Sequence, residues 1–440
     1  MIDIKEVLKN PEEMRKNVEA RNVKVDVDEV IELYKTSLQA KSALDSYRAS
    51  ANEVAKQLKQ KMGEKERDEL VQKGKDLKSE IAKATEQAKT SSELYQSSAM
   101  KLPNWMSADV PYGKDDADNV EISRYGNPTQ FDFVPKDHLE LGESLDLIDF
   151  KSGTKVAGTK FYFLKNEAVL LQHAIKSFAF RKAMERGFVC LHTPDIAKNS
   201  ILQGVGFAPR GDESNTYELS DLDMSLVATS EIAVAGMHAD EILDREKLPL
   251  LYVAESHCFR REGGTAGRAS KGLYRVHQFE KVELFAFTTP EQSEQVHKDI
   301  LELEESIYQD MKIPYRVVNI CSGDLGAPAY KKYDIEAWLP GKGENGEYGE
   351  VTSTSNCTTY QARRLNIRFK DPATNKNAFV HTLNGTAVAL SRTPIAIIEN
   401  YQTKEGGIKI PEVLVPYLGF DEIKPRRSVP TRSFKSSLNL

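Results

Sequence analysis

Residues 257–285, HCFRREGGTAGRASKGLYRVHQFEKVELF, carry many charges within what otherwise has the pattern of two strands joined by a glycine-rich loop. Residues two apart on a strand share one face, so Arg260 and Glu262 should lie together, as should Arg275, Phe279 and Glu283 on the return strand. One face of a sheet would then carry two arginines, two glutamates and an aromatic ring. An exposed hairpin with cross-strand ion pairs would show the same pattern, so this stretch alone leaves both a structural and a functional interpretation open.

The segments around this hairpin predict a mixed α+β body. A helical apolar spacing runs from Ala168 to Gly187, and a second long helix is predicted from about Pro290 to Met311. Between them lie short strand-like runs divided by turns, such as 315–320 and 333–339. Strands that follow one another without alternating helices favour an antiparallel sheet over a parallel one.

The N-terminal part of the chain has a different character, because residues 27–102 lack proline and are rich in Ala, Lys, Glu, Gln and Ser. Two series of mainly apolar residues at spacings of three and four are separated by a turn near Gly63. They predict two helices that fold back as an antiparallel coiled-coil arm, about 50 Å long at 1.5 Å per residue. The first series is Val30, Leu33, Ser37, Ala40, Leu44, Tyr47, Ala51, Val54 and Leu58, and the second is Leu70, Gly74, Leu77, Ile81, Ala84, Ala88, Ser91 and Tyr95.

Composition limits the possible functions without choosing one. The 440 residues include 66 acidic and 60 basic side chains, and the net charge of -6 gives no overall attraction to nucleic acid. The four cysteines form no C-x-x-C pair, which argues against a zinc ribbon or a disulfide framework. We find no signal peptide and no membrane-spanning run, and we therefore expect a cytoplasmic protein with no membrane partner.

A conventional nucleotide-binding loop is not evident. The segment 153–160, GTKVAGTK, has its final lysine after a threonine and leads into a strand-like run, which does not fit a P-loop. The segment 204–211, GVGFAPRG, lacks the third glycine of a dinucleotide-binding turn.

Two later segments favour the functional interpretation of the hairpin. Glu350 and Ser353 in GEVTS offer oxygen ligands suited to a magnesium ion that bridges phosphates. The segment 384–402, NGTAVALSRTPIAIIENYQ, runs from polar Asn384 and Thr386 through Arg392 into an apolar helix. In this order, the segments resemble the second and third signature motifs of class II aminoacyl-tRNA synthetases. The chain over residues 1 to about 420 resembles the seryl-tRNA synthetase family, including VATSE at 227–231 as the serine-recognising loop.

The resemblance implies ATP-dependent activation of L-serine to seryl-adenylate, followed by transfer to the 3′-hydroxyl of tRNA(Ser). It implies that Arg260 contacts the α-phosphate of ATP, while Phe279 and Arg392 cover the two faces of the adenine. The implied catalytic residues are Arg260, Glu350 and Arg392. The implied ATP-binding residues are Arg260, Arg261, Glu262, Arg275, Val276, Phe279, Glu350, Val351, Thr352, Ser353 and Arg392.

The resemblance also implies the other ligands and the division of the chain. Magnesium would be held by Glu350 and Ser353, and serine would be bound by Thr229, Ser230, Glu231, Glu283, Asn384 and Thr386. The long arm would bind the long variable arm of the tRNA. A homodimer is implied, with its interface near 188–195, FVCLHTPD. The expected divisions are a tRNA-binding domain (1–102), a linker (103–128) and a class II catalytic domain (129–420). The basic tail (421–440) lies outside the resemblance; we expect it to be disordered, with contact to the tRNA backbone as the alternative.

Some residues depart from the family pattern, and two alternatives stay open. Arg261 stands where many bacterial members have serine, and Ser391 stands where they usually have glycine. An amino acid:carrier protein ligase would lack the long arm. A non-catalytic paralogue that binds tRNA would be expected to lose Arg260, Glu283, Glu350 or Arg392, all of which are present.

Overall fold

Helices alone form the N-terminal unit of the computed structural model, which describes residues 1–207, 215–262 and 272–426. Its helices are α1 (Ile4–Lys9), α2 (Pro11–Ala20), α3 (Val27–Gln57) and α4 (Glu64–Ala99). Helix α3 begins after Asp26, whose carboxylate accepts hydrogen bonds from the backbone N–H groups of Asp28 and Glu29. This unit ends at Trp105.

Helices α3 and α4 form the antiparallel helical hairpin that the sequence predicts. The rings of Tyr34 and Tyr95 lie 5.1 Å apart near one end, and Gly74 faces Val54 toward the other. Every member of the two predicted apolar series is buried or half-buried, whereas most residues between them are exposed. The hairpin is therefore held along one narrow seam, as in a coiled coil.

An antiparallel sheet is the centre of the second unit, which begins at Met106. The strands of the unit are β1 (Val120–Tyr125), β2 (Ile148–Asp149), β3 (Phe163–Leu164), β4 (Val189–His192), β5 (Ile196–Lys198), β6 (Glu218–Leu219), β7 (Met224–Leu226), β8 (Ile242–Leu243), β9 (Leu250–Phe259), β10 (Gln278–Thr288), β11 (Tyr315–Asn319), β12 (Lys331–Leu339), β13 (Glu347–Asn356), β14 (Arg368–Asp371), β15 (Lys376–Phe379), β16 (His381–Ala389), β17 (Ile408–Lys409) and β18 (Glu422–Ile423). Within the described residues, eight of these strands make this sheet in the order β1-β11-β12-β13-β16-β10-β9-β4, in which only the β4–β9 pair is parallel.

Two long helices cover one face of the sheet and leave the other face for the site. The apolar residues of α10 (Ser293–Asp310) recur at positions 296, 300, 303 and 307, so one side of that helix packs on β10, β13 and β16. Helix α7 (Glu167–Glu185) packs beside it on the same core. The helices of this unit are α5 (His138–Ser144), α6 (Phe150–Ala157), α7 (Glu167–Glu185), α8 (Asn199–Val205), α9 (Ser230–Met237), α10 (Ser293–Asp310), α11 (Tyr360–Leu365), α12 (Arg392–Asn400) and α13 (Val415–Leu418). The predicted α+β class is confirmed.

Two expected divisions of the chain differ from the structure. The segment 103–128, expected to be a linker, contains strand β1, which pairs with β11 at one edge of the main sheet. The first part of the expected tail is also structured, because β18 pairs with β17 and Arg426 donates to the backbone carbonyl of Leu145. Residues 427–440 of that tail lie outside the described residues.

The charged hairpin is shorter than the sequence suggests. Strand β9 ends at Phe259 and β10 begins at Gln278, so Arg260, Glu262 and Arg275 lie beyond the strand ends. Glu262 has a φ of 48°, which is incompatible with a continuing strand. The prediction that Arg260 and Glu262 share one face of a strand is therefore wrong, although Phe279 and Glu283 do lie on one face of β10.

Candidate active site

Most of the residues predicted from the sequence surround one cavity of about 220 Å³ on the face of the sheet opposite α7 and α10. Strands β10, β13 and β16 supply its floor. The predicted residues that line it are Thr229, Glu231, Arg260, Glu262, Arg275, Val276, Phe279, Glu283, Glu350, Val351, Thr352, Ser353, Asn384, Thr386 and Arg392. Ser230 and Arg261 do not line it, and the Ser230 hydroxyl donates to the backbone carbonyl of Ala254.

One end of the cavity is rich in arginine. The Arg260 guanidinium lies over the Phe279 ring, 5.2 Å from its centre. Arg275 forms an ion pair of 2.8 Å with Glu262, whose backbone N–H donates to the side chain of Asn215. Arg260 adds a backbone hydrogen bond to the carbonyl of His277, which continues the pairing of β9 and β10 for one residue. One guanidinium group thus lies over an aromatic ring, and a second is held in an ion pair at the same end of the cavity.

Arg392 closes another side of this cavity. It is the first residue of α12, and its guanidinium lies 4.6 Å from the centre of the Tyr274 ring. It also forms a 3.0 Å ion pair with Glu350 and donates to the backbone carbonyl of Tyr274. Burial works to raise the pKa of Glu350, but the positive charges of Arg392 and Lys332 outweigh burial and lower that pKa. Glu350 is therefore ionised at neutral pH.

The edge of the cavity near Glu350 fits a magnesium ion that also binds phosphate. Glu350 provides a carboxylate and Ser353 a hydroxyl, and no group of three or more His, Cys, Asp or Glu residues suited to a metal occurs in the described chain. Magnesium is commonly held by one or two carboxylates plus substrate phosphates, so this sparse set agrees with such a site. Asp334 pairs with Ser353 across β12 and β13, and its carboxylate oxygen Oδ1 is buried without a hydrogen-bond partner among the described residues.

The other end of the cavity holds two buried carboxylates. Glu283 is 2% exposed; its Oε2 accepts a hydrogen bond from the Thr386 hydroxyl and lies 2.5 Å from Lys281 Nζ. Glu231 lies two residues after Thr229, the N-cap of α9. The Glu231 carboxylate accepts hydrogen bonds from the side chains of Gln361 (2.7 Å) and Asn384 (3.1 Å). Burial and the negative charge of Glu283 raise the pKa of Glu231 to about 7. This end can bind a small polar ligand with both a positive charge and a hydroxyl.

The backbone between Glu350 and Ser353 lines the cavity, but the Thr352 side chain points away from it. The Thr352 hydroxyl donates to Oε2 of Glu304, a buried residue of α10, at 2.7 Å. A Cβ atom at Gly385 would lie 2.4 Å from the other Glu304 oxygen, which explains why glycine occupies this position of β16. Thr352 is thus anchored on the helical face of the sheet.

Several residues of this region were not predicted from the sequence. Lys281 could have been, because it alternates with Phe279 and Glu283 on the same face of β10. Asp334 alternates in the same way with Lys332 and Glu336 on β12, but nothing in its own segment places it beside Ser353. Tyr274 and Gln361 gave no signal in the sequence, since their contacts come from distant segments.

Comparisons with known proteins agree with this architecture. Residues 1–106 match the family described as the seryl-tRNA synthetase N-terminal domain, and residues 217–401 match the tRNA synthetase class II core domain (G, H, P, S and T). A serine--tRNA ligase of Treponema denticola is 51% identical over 423 residues, covering 96% of this chain and 100% of the relative. Among solved structures, a seryl-tRNA synthetase from Pyrococcus horikoshii complexed with ATP has a TM-score of 0.89 and 39% identity, covering 97% and 100% of the two chains. A cytoplasmic serine-tRNA ligase from Naegleria fowleri in complex with AMP has a TM-score of 0.82 and 32% identity, covering 95% and 96%.

Proposed function

The chain belongs to the seryl-tRNA synthetase family and activates L-serine with ATP for transfer to tRNA; we propose that the 220 Å³ cavity is where both steps take place. The observation that carries this proposal is the convergence of the arginine-rich end, the Glu350–Ser353 edge and the Glu231–Glu283 end on one cavity. No described helix is long and apolar enough to cross a membrane.

We assign ATP to the arginine-rich end. Phe279 offers an aromatic face for the adenine, and Arg392, which lines the same cavity, would cover the opposite face after it leaves its present contacts with Tyr274 and Glu350. A cation–π contact of this type contributes about 1–2 kcal/mol when water is excluded. Arg260 would leave Phe279 and bind the α-phosphate, with Glu262, Arg275 and the backbone of Val276 placed to bind the remaining parts of the nucleotide.

We assign serine to the end with two carboxylates. Glu231 can bind the ammonium group of serine, while Glu283 and Thr386 can bind its hydroxyl. A pocket that hydrogen-bonds the substrate hydroxyl rejects alanine because the buried polar groups would lose their partner, a penalty of up to about 10⁴–10⁵ in rate. Two hydrogen bonds fix the position of Glu231: its backbone N–H donates to the Thr229 hydroxyl, and its carboxylate accepts from the Asn384 amide.

The reaction requires positioning and neutralisation of charge. The serine carboxylate attacks the α-phosphorus, pyrophosphate leaves, and Arg260 stabilises the negative charge that spreads over the phosphate oxygens. Magnesium, which Glu350 and Ser353 would hold, would neutralise the charge of the leaving phosphates. No general base is needed, because the attacking carboxylate is already ionised. In the transfer step the terminal ribose hydroxyl of the tRNA attacks the carbonyl carbon of the seryl-adenylate, the bond from that carbon to the phosphate oxygen breaks, and AMP leaves as the hydroxyl gives up its proton.

We further propose that the α3–α4 hairpin binds the long variable arm of tRNA(Ser) and that two copies of the chain form a dimer. Support for the dimer comes from exposed apolar side chains that lie close together in the sequence: Val156, Phe163, Leu170, Met184, Val189 and Ile196. Exposed apolar surface of this kind is typical of a protein interface. The expected cytoplasmic location agrees with a role in translation.

The alternatives raised from the sequence have less support. A carrier-protein ligase has no use for an arm, whereas residues 1–106 match a tRNA synthetase N-terminal domain. A paralogue without catalytic activity would not be expected to preserve the contacts of Arg392 with Glu350 and of Glu283 with Thr386.

Amino-acid-dependent ATP–pyrophosphate exchange tests the assignment of the cavity. We expect exchange with serine and with no other standard amino acid. Arg260→Ala should lower the rate by about 100-fold or more, because it removes a charge that stabilises the transition state. Arg124→Ala, which removes an exposed arginine of strand β1, is the matched control and should exchange normally. Normal exchange by Arg260→Ala, or exchange with another amino acid, would contradict the proposal.

A further inference from the structure

A second carboxylate lies beside the edge of the cavity that we assign to magnesium. On the face of β12 that lines the cavity, Asp334 stands opposite Ser353 and Glu336 stands opposite Glu350. The backbone pairing therefore brings Asp334 next to the hydroxyl that would bind the metal. Asp334 also lines a larger neighbouring cavity of about 470 Å³, and the residues that line both cavities are Tyr274, Arg275, Lys332, Glu350 and Arg392.

The Asp334 carboxylate is buried, but only one of its oxygens has a protein partner. Asp334 is 5% exposed, and its Oδ2 lies 3.3 Å from Lys332 Nζ. The other oxygen, Oδ1, has no hydrogen-bond partner within the part of the chain that the structure describes. A buried carboxylate oxygen without a partner is costly, so it implies a partner that binds with the substrates.

The charges around Asp334 indicate the nature of that partner. Lys332 is the cation that contacts the Asp334 carboxylate, and the carboxylate of Glu350 lines the same cavity. Two neighbouring carboxylates beside one lysine leave an excess of negative charge, which a further cation would balance. A divalent cation, or the hydrogen atoms of water bound to it, would satisfy Oδ1 and reduce the repulsion from Glu350.

We propose that Asp334 is a positioning residue of the magnesium site: it orients the Ser353 hydroxyl and accepts, at Oδ1, a hydrogen bond from water bound to the metal. This inference rests on the proposed magnesium site at Glu350 and Ser353. Residues that hydrogen-bond to metal ligands without binding the metal themselves usually contribute 10- to 100-fold to metal affinity. A change at Asp334 would accordingly alter the affinity for the metal and for the phosphates bound to it, and the affinity for serine would stay the same.

Binding of Mn²⁺ provides a test that does not depend on turnover. Electron paramagnetic resonance would measure the Mn²⁺ affinity of the full-length protein with a non-hydrolysable ATP analogue. For Asp334→Asn we expect an affinity about 10- to 100-fold lower than that of the unaltered protein. The matched control is Glu336→Gln, which lies two residues away on the same face of β12, lines the same larger cavity and is paired with Arg316. The Mn²⁺ affinity of Glu336→Gln should change less than about threefold, because the Glu336 carboxylate is already paired with Arg316 and is not expected to bind the metal or its water.

Two further variants make the result decisive. The first replaces both members of the ion pair, Lys332→Met with Asp334→Asn, so that neither partner is left as an unpaired buried charge. It serves if Asp334→Asn alone unfolds, and we expect the double variant to show the same loss of Mn²⁺ affinity. Glu350→Gln should lose Mn²⁺ affinity if the proposed site itself is correct. Unchanged affinity in both Asp334 variants, with a loss in Glu350→Gln, would overturn this inference alone. An equal loss in Glu336→Gln would also overturn it, and unchanged affinity in Glu350→Gln would overturn the magnesium site as well.

Discussion

At the scale of single residues, the protonation of Glu231 should control serine binding. Its pKa of about 7 arises from burial and from the charge of Glu283, so the carboxyl is mostly protonated at pH 6 and mostly ionised at pH 8. The ammonium group of serine requires the ionised form. We expect the KM for serine to rise about tenfold from pH 8 to pH 6.

This dependence is measured by ATP–pyrophosphate exchange at saturating magnesium and ATP. Glu231→Gln should bind serine weakly at every pH and should lose the dependence. A KM for serine that stays constant between pH 6 and pH 8 in the unaltered protein would contradict the assigned role of Glu231.

Glu304 should affect stability rather than binding. Burial raises its pKa well above the ordinary value, and the charges of Glu283 and Asp334 raise it further. The folded protein therefore keeps a proton on Glu304 that the unfolded chain loses. The stabilising contribution is complete below the unfolded pKa, near 4.5, and it is lost as the pH rises toward the folded pKa.

A glutamine at position 304 would stay neutral in both states and remove this dependence. We expect Glu304→Gln to raise the melting temperature at pH 8 and to change it little at pH 5. The difference in unfolding free energy should grow by up to about 1.4 kcal/mol per pH unit between those limits. Glu302→Gln, an exposed position on the same helix, is the control. Equal melting-temperature changes at both pH values would show that Glu304 is ionised in the folded protein.

At the scale of elements, the arm was predictable because its pattern is local. The three- and four-residue spacing that defines α3 and α4 needs no information from the rest of the chain. Strand β1 was missed because it lies at a sheet edge with almost every side chain exposed, so burial leaves no clear pattern in a segment rich in Pro, Gly and Asp. The ends of β9 and β10 were also missed, since the positive φ of Glu262 has no signature in a glutamate.

The residues of the site also divide into those that a local pattern reveals and those whose neighbours depend on the whole fold. Motif residues such as Arg260, Glu350 and Arg392 could be identified together because their segments resemble a known family. Lys281 could have been added from alternation along β10. Asp334 and Tyr274 could not, because their neighbours are set by the pairing of β12 with β13 and by the packing of α12, which depend on the whole fold.

The arm should be needed for tRNA charging and dispensable for serine activation. The contact of Tyr34 with Tyr95 marks a point where α3 and α4 can be rejoined. We expect a variant in which residues 36–93 are replaced by a short glycine–serine linker to exchange pyrophosphate with serine at the normal rate. Its kcat/KM for tRNA(Ser) should fall at least about 100-fold, which corresponds to about 3 kcal/mol.

Aminoacylation with radioactive serine measures the second effect on the same preparation. The exchange rate serves as the internal control for an intact catalytic unit. Retention of tRNA charging would show that the hairpin is a spacer, and loss of both activities would show that the two units depend on each other.

At the scale of the whole molecule, the edge of the sheet at β4 requires an explanation. Strand β4 is last in the strand order, and Val189 on it is 56% exposed, close in sequence to Met184, which is 60% exposed on α7. An edge strand with exposed apolar side chains promotes association unless it is covered. A second copy of the chain would cover it, in agreement with the proposed dimer.

We expect the double variant Met184→Glu, Val189→Asp to dissociate this dimer, because each change would bury an unpaired charge in the interface. The dissociation constant should rise by at least about 30-fold, equivalent to about 2 kcal/mol. Sedimentation velocity over a range of protein concentrations measures this change. Val134→Asp is the control, because Val134 is 87% exposed and lies outside the 156–196 segment. If the double variant and the control sediment alike as dimers, another surface forms the interface; if the unaltered protein sediments as a monomer, the apolar edge has a different partner.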